Sequence, residues 1–235
     1  ITANGDVSVQ AFSPFNPTAS WSAATYGGSG YFDGSGDYLT ATLTSQAPGT
    51  GDFTYQFWVY AADNTAVSLF DTRAVNNNTT GFTLLINGTT NLAIYTNSTI
   101  LTGSGTVPLN AWSFVTVTRS GTTLTIYLDG TSQGTVTFSN NLTDTAMRLG
   151  QYVDGTGSFT GYIAGFKYVK GSADSASVPT TPPTATTGTQ FLCNFTNAGI
   201  YDATSKNDLE TVGNAQISTT QSKFNGSSMY FDGTG

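Results

Sequence analysis

The side chains of this chain that could carry catalytic chemistry are carboxylates, because the chain contains no histidine. Catalytic triads, general-base mechanisms and metal centres that use histidine are therefore excluded. Glycoside hydrolysis needs an acid and a nucleophile at a defined separation. The single glutamate, Glu210, lies outside the strand-rich region, and the best remaining pair is Asp33 and Asp37 in FDGSGD. Because placement at a strand end and in a turn explains both aspartates equally well, we expect this pair to be structural and the chain not to be an enzyme.

A calcium site is the second chemistry that the aspartates allow. Hard cations are held by several oxygen ligands, which loop and strand-end acids can supply. The sequence contains neither an EF-hand spacing nor a compact acidic cluster. We therefore assign no residue as a metal ligand and predict no cofactor, and Ca²⁺ stays an open alternative. The acids that could contribute are Asp63, Asp71, Asp144 and Asp154.

Carbohydrate binding would require exposed aromatic rings beside a few amide or carboxylate groups. Trp58 and Trp112 lie inside strand patterns, so we expect them in the core. The aromatic residues outside such patterns, or near their ends, are candidates for exposure. They are Trp21, Tyr26, Tyr60, Tyr95, Tyr152 and Tyr201.

The composition limits the class of partner. The chain is 38% hydrophobic but only 9% charged, with a net charge of −7, whereas soluble domains are usually about 25% charged. An acidic chain is a poor partner for nucleic acid or an anionic membrane. Serine, threonine and asparagine in place of charges are typical of an extracellular or particle-surface protein. The lone Cys193 excludes an internal disulfide, and we expect it to be buried in a strand.

Short runs of aromatic and β-branched residues, separated by turn residues, predict an all-β fold. In the run from Phe53 to Val59, alternate residues are hydrophobic and share one face. Asn87-Gly88 and Asp129-Gly130 are typical hairpin turns. The predicted strands are Gly30–Asp33, Tyr38–Leu43, Phe53–Ala61, Val67–Asp71, Phe82–Asn87, Leu92–Thr96, Trp112–Arg119, Thr123–Asp129, Thr135–Phe138, Met147–Gln151 and Phe159–Val169.

A motif near the start of the chain returns near its end. Tyr31–Gly34 and Tyr230–Gly233 both read YFDG, at an offset of 199 residues. A repeat of that length indicates an array of whole domains, so we expect the chain to be a window of a tandem array. FLCNF, after the proline-rich connector, could either close the first module or begin the next. The predicted division is a lead-in at 1–26, the main domain at 27–171, the connector at 172–188, and 189–235 with that choice open.

Several segments, taken in order, resemble a laminin-G-like, concanavalin A-like jelly-roll domain. The strongest is Trp112–Thr131, where a tryptophan opens a strand, an Arg-Ser-Gly turn follows, and the next strand ends in Leu-Asp-Gly. The second is GYIAGFKYVKG at Gly161–Gly171, which is similar to the closing strand of that family. The resemblance spans about Gly28 to Gly171 and implies an antiparallel jelly-roll sandwich. Its threonine- and asparagine-rich style resembles the version found in virion proteins of phages of marine cyanobacteria.

The resemblance leads us to expect a non-enzymatic structural or adhesion module of a phage particle, located on the virion surface or otherwise extracellular. Its expected partners are neighbouring copies of the module, other virion proteins, and host glycans bound by displayed loops. The alternative is a secreted bacterial adhesin or lectin with a calcium-dependent carbohydrate site. The sequence leaves the oligomeric state open.

Overall fold

The computed structural model describes residues 1–10, 12–15, 23–43, 47–63, 65–195, 216–218 and 228–230. In these residues strands predominate, beside one four-residue helix, α1 (Ala23–Tyr26), and the predicted all-β fold is confirmed. The strands are β1 (Thr2–Asn4), β2 (Ser8–Gln10), β3 (Ser29–Asp33), β4 (Tyr38–Thr42), β5 (Phe53–Ala61), β6 (Val67–Asp71), β7 (Thr83–Ile86), β8 (Asn91–Tyr95), β9 (Thr99–Thr106), β10 (Trp112–Ser120), β11 (Thr123–Leu128), β12 (Thr131–Thr137), β13 (Ala146–Leu149), β14 (Thr160–Lys170), β15 (Thr189–Cys193), β16 (Gln216–Ser218) and β17 (Ser228–Tyr230).

Two antiparallel sheets form the sandwich. The seven-stranded sheet has the order β1-β4-β13-β6-β7-β8-β9. The eight-stranded sheet has the order β12-β11-β10-β5-β14-β3-β2, with β15 paired to β14. Neighbours in each sheet are often far apart in the chain, as where β13 pairs with both β4 and β6. This arrangement is that of a jelly-roll sandwich, as predicted.

The core lies between the two sheets and is rich in aromatic rings. In β5 the alternating residues Phe53, Tyr55, Phe57 and Val59 are all buried, as the sequence pattern predicts. Within the eight-stranded sheet Tyr55 stacks on Tyr168 with ring centroids 4.4 Å apart. It also reaches Phe70 of the opposite sheet at 4.9 Å. Offset or edge contacts of this kind stabilise the core beyond simple area burial.

A buried arginine closes one end of the sandwich. Arg119 is 1% exposed, and its guanidinium lies 4.9 Å from the centroid of the Phe53 ring. It donates hydrogen bonds to the carbonyl groups of Gly49, Gly51 and Asn140. Burial lowers the pKa of Arg119, and the charge of Asp52 opposes this shift. One side chain thus holds together the two loops that meet there.

Two edge features were not anticipated from the sequence. Strand β9 contains Gly103 and Gly105 and is largely exposed, so it lacks the hydrophobic alternation that marks the other strands. Strand β12 begins at Thr131, four residues before the predicted start. Gln133 of β12 accepts a hydrogen bond from the Gly105 N–H at 2.7 Å, and a Cβ atom at Gly105 would lie 2.5 Å from that same oxygen. A larger residue at position 105 would therefore displace the Gln133 side chain and its hydrogen bond where the two sheet edges meet.

Residues outside the predicted range 27–171 also pair with the sandwich. β1 pairs with β4, and β2 pairs with β3. After the connector, β15 pairs with β14, and Phe195 is 4% exposed within the core cluster. The FLCNF segment thus packs onto the first module in this structure. The four-part division into domains stays a prediction.

The repeated motif recurs as the same strand pairing. In β2–β3, Ser8, Val9 and Gln10 lie opposite Tyr31, Gly30 and Ser29. In β16–β17, Gln216, Ile217 and Ser218 lie opposite Tyr230, Met229 and Ser228. The three β17 residues are those that the offset of 199 residues assigns to the three β3 residues. The sequence repeat therefore coincides with a repeat of local backbone pairing.

Candidate functional site

A pocket opens on the outer face of the seven-stranded sheet. Leu85 at its wall lies between the fully buried residues Leu84 and Ile86, so its side chain points away from the core. The pocket has a volume of about 300 Å³ and is built by the loops after β6, β8 and β13. Its polar and aromatic lining comprises Arg73, Asn76, Asn77, Tyr95, Tyr152 and Asp154.

An ion pair connects the loops beneath this pocket. Arg73 donates from Nη2 to Asp71 Oδ2 at 2.7 Å and from Nε to Asp71 Oδ1 at 2.9 Å. Both side chains are almost fully buried. Arg73 also donates to the Thr96 carbonyl, and Asp71 accepts from the Val153 N–H. The pair therefore fixes the three loops relative to one another.

A chain of hydrogen bonds orients the polar wall. Arg73 Nη1 donates to Asn76 Oδ1 at 3.1 Å, so the Asn76 amide is orientated with its Nδ2 towards Asp154 Oδ2, 2.8 Å away. Asp154 Oδ1 accepts from the Thr156 hydroxyl at 2.7 Å. This hydroxyl is the main reason that the pKa of Asp154 lies below its ordinary value. Asp154 is therefore a carboxylate at neutral pH.

Tyr95 is fixed by the loop after β6 and by the turn that follows its own strand. Its hydroxyl is within donating distance of Asn77 Oδ1 at 2.8 Å and of the Asn97 carbonyl at 3.2 Å, and the Arg73 guanidinium lies 5.4 Å from its ring centroid. Asn77 has a φ of 57°, a left-handed conformation that asparagine adopts more readily than most residues. The loop after β6 thus turns back so that the Asn77 side chain meets the tyrosine.

Tyr152 forms a second aromatic side of the pocket. Burial raises its pKa to about 12, so its hydroxyl remains protonated at all ordinary pH values. The ring lies against Gly157, where a Cβ atom would be 2.2 Å from Tyr152 Cε2. Because Gly157 also has a φ of 58°, the loop needs glycine there to admit the ring.

The calcium candidates are not brought together. Asp154 lines the pocket, whereas Asp71 is fully buried beneath it and accepts the N–H groups of Arg73. Asp144 instead accepts from the Ala74 N–H, Asn78 Nδ2 and Thr80 Oγ1, and so orders the loop after β6. Asp63 accepts hydrogen bonds from the N–H and the hydroxyl of Thr65, two residues further along the chain. Among the described residues, no group of three or more His, Cys, Asp or Glu side chains is placed to hold a metal ion.

The Asp33–Asp37 pair is structural in this arrangement. Asp37 is fully buried and accepts the N–H groups of Asp6 at 2.5 Å and Asp33 at 2.9 Å. Asp33 is exposed and accepts the Ser35 N–H in its own turn. Asp37 therefore ties the turn between β1 and β2 to the end of β3.

The structure changes the interpretation of several aromatic candidates. Trp58 and Trp112, expected in the core, are half-buried on the outer face of the eight-stranded sheet, because the strand alternation turns them away from the interior. Phe15 and Phe12 of the N-terminal segment cover them, with ring centroids 5.8 Å and 5.1 Å away. That face is thus aromatic without belonging to the core.

Of the candidate aromatic residues, Tyr95 and Tyr152 meet at the pocket. Tyr26 ends α1, and Tyr60 packs on Phe12 with ring centroids 5.0 Å apart. Cys193 is a free thiol, half-buried against the core in β15, and burial raises its pKa. No helix in the described ranges is long and apolar enough to cross a membrane. Trp21, Tyr201 and Glu210 lie outside the described residues.

Sequence reasoning missed Arg73, Asn76 and Asn77. The signal that could have found them is Asp71-Thr-Arg73 at a strand end, followed by three consecutive asparagines. An arginine two residues after an aspartate can pair with it, and asparagines in a loop after the strand supply directed amides.

Comparison with known structures identifies the fold. A carbohydrate-binding protein, so described, from Bacteroides ovatus matches with a TM-score of 0.54 and 14% identity over 71% of this chain and 50% of that chain. This chain therefore spans half the length of that protein. Domain 4 of AbnA, a GH43 extracellular arabinanase from Geobacillus stearothermophilus in complex with arabinotriose, matches with a TM-score of 0.52 and 14% identity, over 72% of this chain and 96% of that domain.

A structure of botulinum neurotoxin type C matches with a TM-score of 0.51 and 16% identity, over 74% of this chain and 43% of that one. Cell entry of that toxin is described as dependent on interaction with two ganglioside molecules. No curated protein sequence matches the chain. The family model Laminin_G_3, of the concanavalin A-like lectin/glucanases superfamily, matches residues 33–179. The chain therefore belongs to the Laminin_G_3 family of that superfamily.

Proposed function

We propose that this chain is a non-enzymatic carbohydrate-binding module whose sugar site is the pocket between Tyr95 and Tyr152. The observation that carries the proposal is the combination of two tyrosines with amide and carboxylate groups held in fixed orientation around about 300 Å³. Aromatic rings supply flat apolar surface for the C–H face of a sugar, and directed polar groups bind its hydroxyls. Similarity in fold to the Bacteroides ovatus protein and to an arabinanase domain in complex with arabinotriose supports the same proposal.

The pocket is organised before a ligand arrives, which favours binding. Asn76 and Asn77 are each fixed by a hydrogen bond from a neighbour, Arg73 and Tyr95 respectively. Groups that are already ordered lose less conformational entropy when a ligand binds. Each protein–sugar hydrogen bond can therefore contribute more to affinity than it would on a mobile loop.

We further propose that the module serves as a repeated adhesion unit of a phage particle. Support comes from the matching pairings of β2–β3 and β16–β17, which are consistent with a second copy of the module beginning near residue 209. Linked copies raise the apparent affinity for a surface that carries many glycans. Mass spectrometry of purified particles tests this role, and absence of the polypeptide from the particles would refute it.

Binding to a glycan array tests the sugar site. We expect Tyr95→Ala and Tyr152→Ala to lower the affinity for any bound glycan at least about tenfold, since each removes a wall of the pocket. Tyr127→Ala is the matched control, because Tyr127 is a half-buried tyrosine of β11 outside the pocket lining. Unchanged binding by both pocket variants, or no binding by the wild type, would refute the proposal.

Chelation separates this proposal from the calcium-dependent adhesin. Asp71 and Asp144 already accept hydrogen bonds from an arginine, amides and hydroxyls, which supports binding without a cation. We therefore expect glycan binding to be the same in buffer with EDTA and in buffer with Ca²⁺. Loss of binding in EDTA, restored by Ca²⁺, would instead support the calcium-dependent site.

A further inference from the structure

We propose that the pocket selects neutral sugars and rejects sugars that carry a carboxylate. This inference rests on the proposed sugar site and concerns the class of ligand. It follows from which polar atoms of the pocket are already occupied and which remain free.

The one cation that lines the pocket cannot serve an anionic ligand. Arg73 is 1% exposed, and both Asp71 oxygens accept its N–H groups. Its Nη1 donates to the Thr96 carbonyl and to Asn76 Oδ1. Four of its five N–H groups are therefore occupied by protein partners, and the guanidinium is almost fully covered, so a sugar carboxylate could not form the usual two-bond contact without displacing one of them. Arg73 is therefore a structural cation here.

The second arginine near these loops is also engaged elsewhere. Arg148 donates from Nη1 to Gln151 Oε1 and to the Tyr152 carbonyl, both within 3.0 Å. Its guanidinium lies 4.2 Å from the centroid of the Tyr38 ring. Arg148 does not line the pocket. It supports the backbone of the loop rather than offering charge to a ligand.

The exposed charge of the pocket is negative. Arg73 and Asp71 cancel one another, whereas Asp154 is exposed and ionised, with its pKa held low by Thr156. A carboxylate of sialic or uronic acid would meet this like charge at close range. Repulsion between two like charges about 4 Å apart weakens such a pairing, although water screens it at this exposed carboxylate.

The free groups match a pair of hydroxyls. The Tyr95 hydroxyl donates a hydrogen bond to Asn77 Oδ1. Asn77 Nδ2 is left as a donor without a partner among the described residues. Asp154 Oδ2 accepts only from Asn76 Nδ2 and retains a further lone pair. The protonated Tyr152 hydroxyl can both donate and accept. A sugar hydroxyl can donate to Asp154, and a sugar hydroxyl can accept from Asn77, without displacing any hydrogen bond within the protein.

The test compares sugars that differ in a carboxylate. Isothermal titration calorimetry measures Kd for three pairs: methyl galactoside with methyl galacturonide, methyl glucoside with methyl glucuronide, and lactose with 3′-sialyllactose. In each pair for which binding is detected, we expect the neutral sugar to bind at least about tenfold more tightly than the acidic sugar. Equal or tighter binding of the acidic member overturns the inference and leaves the proposed sugar site standing. If neither neutral nor acidic sugars bind, in calorimetry or on a full glycan array, both this inference and the proposed sugar site are overturned.

Asp154→Asn tests the residue assignment. The substitution keeps the shape but removes the charge, so we expect about tenfold weaker binding of the neutral sugar and a smaller ratio of the two Kd values. Asp6→Asn makes the same charge change at an exposed site outside the pocket lining and should leave both Kd values at the wild-type level. An unchanged ratio in Asp154→Asn overturns the role given to Asp154.

Discussion

The buried pair of Arg73 and Asp71 makes the strongest prediction for a single residue. Asp71→Asn removes the charge that balances a guanidinium only 1% exposed. Breaking such a pair from one side leaves an unpaired charge in the interior, which typically costs about 3–5 kcal/mol. We expect the free energy of unfolding, measured by urea denaturation, to fall by that amount. Glycan binding at the pocket should weaken as well, since the pair joins its loops.

The control for Asp71→Asn is the same substitution at Asp6, whose side chain is exposed. Surface changes away from special features usually alter stability by no more than about 0.5 kcal/mol. If the two variants unfolded at the same urea concentration, the Arg73–Asp71 pair would have no special role in stability.

Asp37 gives a pH-dependent prediction. Burial raises the pKa of its carboxyl above the ordinary value of 3.8, and the backbone N–H groups of Asp33 and Asp6 offset part of the rise. Between pH 3.8 and the higher folded value, the folded chain therefore binds more protons at this group than the unfolded chain. Stability falls as pH rises through such a window. Asp37→Asn lacks this titration.

The measurement compares unfolding free energies of wild type and Asp37→Asn from about pH 3.5 upwards. We expect the wild type to lose stability relative to the variant as the pH rises through the window, because only the wild type must ionise a buried carboxyl. Other acids titrate in both proteins and cancel in the difference. A difference that is flat with pH, or that grows in favour of the wild type, would contradict the raised pKa.

Individual site residues were only partly predictable from sequence. Tyr95, Tyr152 and Asp154 stand among the candidates because their types suit sugar or cation binding. Their meeting was not predictable, since it depends on three loops that Arg73 joins through Asp71 and Thr96. The expectation that Trp58 lies in the core was wrong, because strand alternation turns it to the face opposite Phe57, where Phe15 from a distant segment covers it.

The loop between β13 and β14 should control glycan affinity, because Gly157 makes room in it for the Tyr152 ring. Gly157→Ala would place a methyl group about where the Tyr152 ring lies, because a Cβ there would be 2.2 Å from Cε2 and 2.4 Å from Cδ2. We expect the ring to leave the pocket wall and glycan affinity to fall about tenfold or more. Gly155→Ala is a matched control in the same loop, with a φ of 83° and nothing within 4 Å of its Cβ position.

Both glycine variants carry similar backbone strain, at about 1 kcal/mol for a left-handed alanine. The thermal midpoint should therefore fall in both variants, and by more in Gly157→Ala because its methyl group also displaces the Tyr152 ring, while only Gly157→Ala loses affinity. Equal affinities for the two variants would mean that the position of Tyr152 does not matter to binding. Calorimetry and thermal unfolding of the same samples provide both measurements.

Strands whose alternate residues enter the core could be predicted, and strands stabilised at the sheet edges could not. Phe53 to Val59 shows its buried face directly in the sequence. β9 is exposed and glycine-containing, and it exists because β8 pairs with it and Gln133 of β12 lies over it. Long-range contacts of this kind leave no periodic pattern in the strand itself. The same reason hides β1 and β2, because Thr2 pairs with Thr40 and Ser8 pairs with Tyr31, which lie 38 and 23 residues further along the chain.

At the scale of the whole molecule, the question is where the first module ends. β15 pairs with β14, and Phe191 and Cys193 pack against the core. Phe195 lies so close to β3 that a Cβ at Gly30 would be 2.7 Å from its ring. By contrast, the pairing described for β16 and β17 is with each other. Residues 189–195 are thus part of the folded sandwich, although they follow the proline-rich connector.

Two truncated chains test this boundary. A chain that ends at residue 195 keeps both sheets, so we expect its urea midpoint and m-value to equal those of the 235-residue chain. A chain that ends at residue 188 loses β15 and the buried Phe195. Removing a buried phenylalanine side chain alone costs about 3–5 kcal/mol, so we expect a loss of at least about 3 kcal/mol. If both truncated chains were equally stable, residues 189–195 would belong energetically to the next module, and the sandwich would close without them.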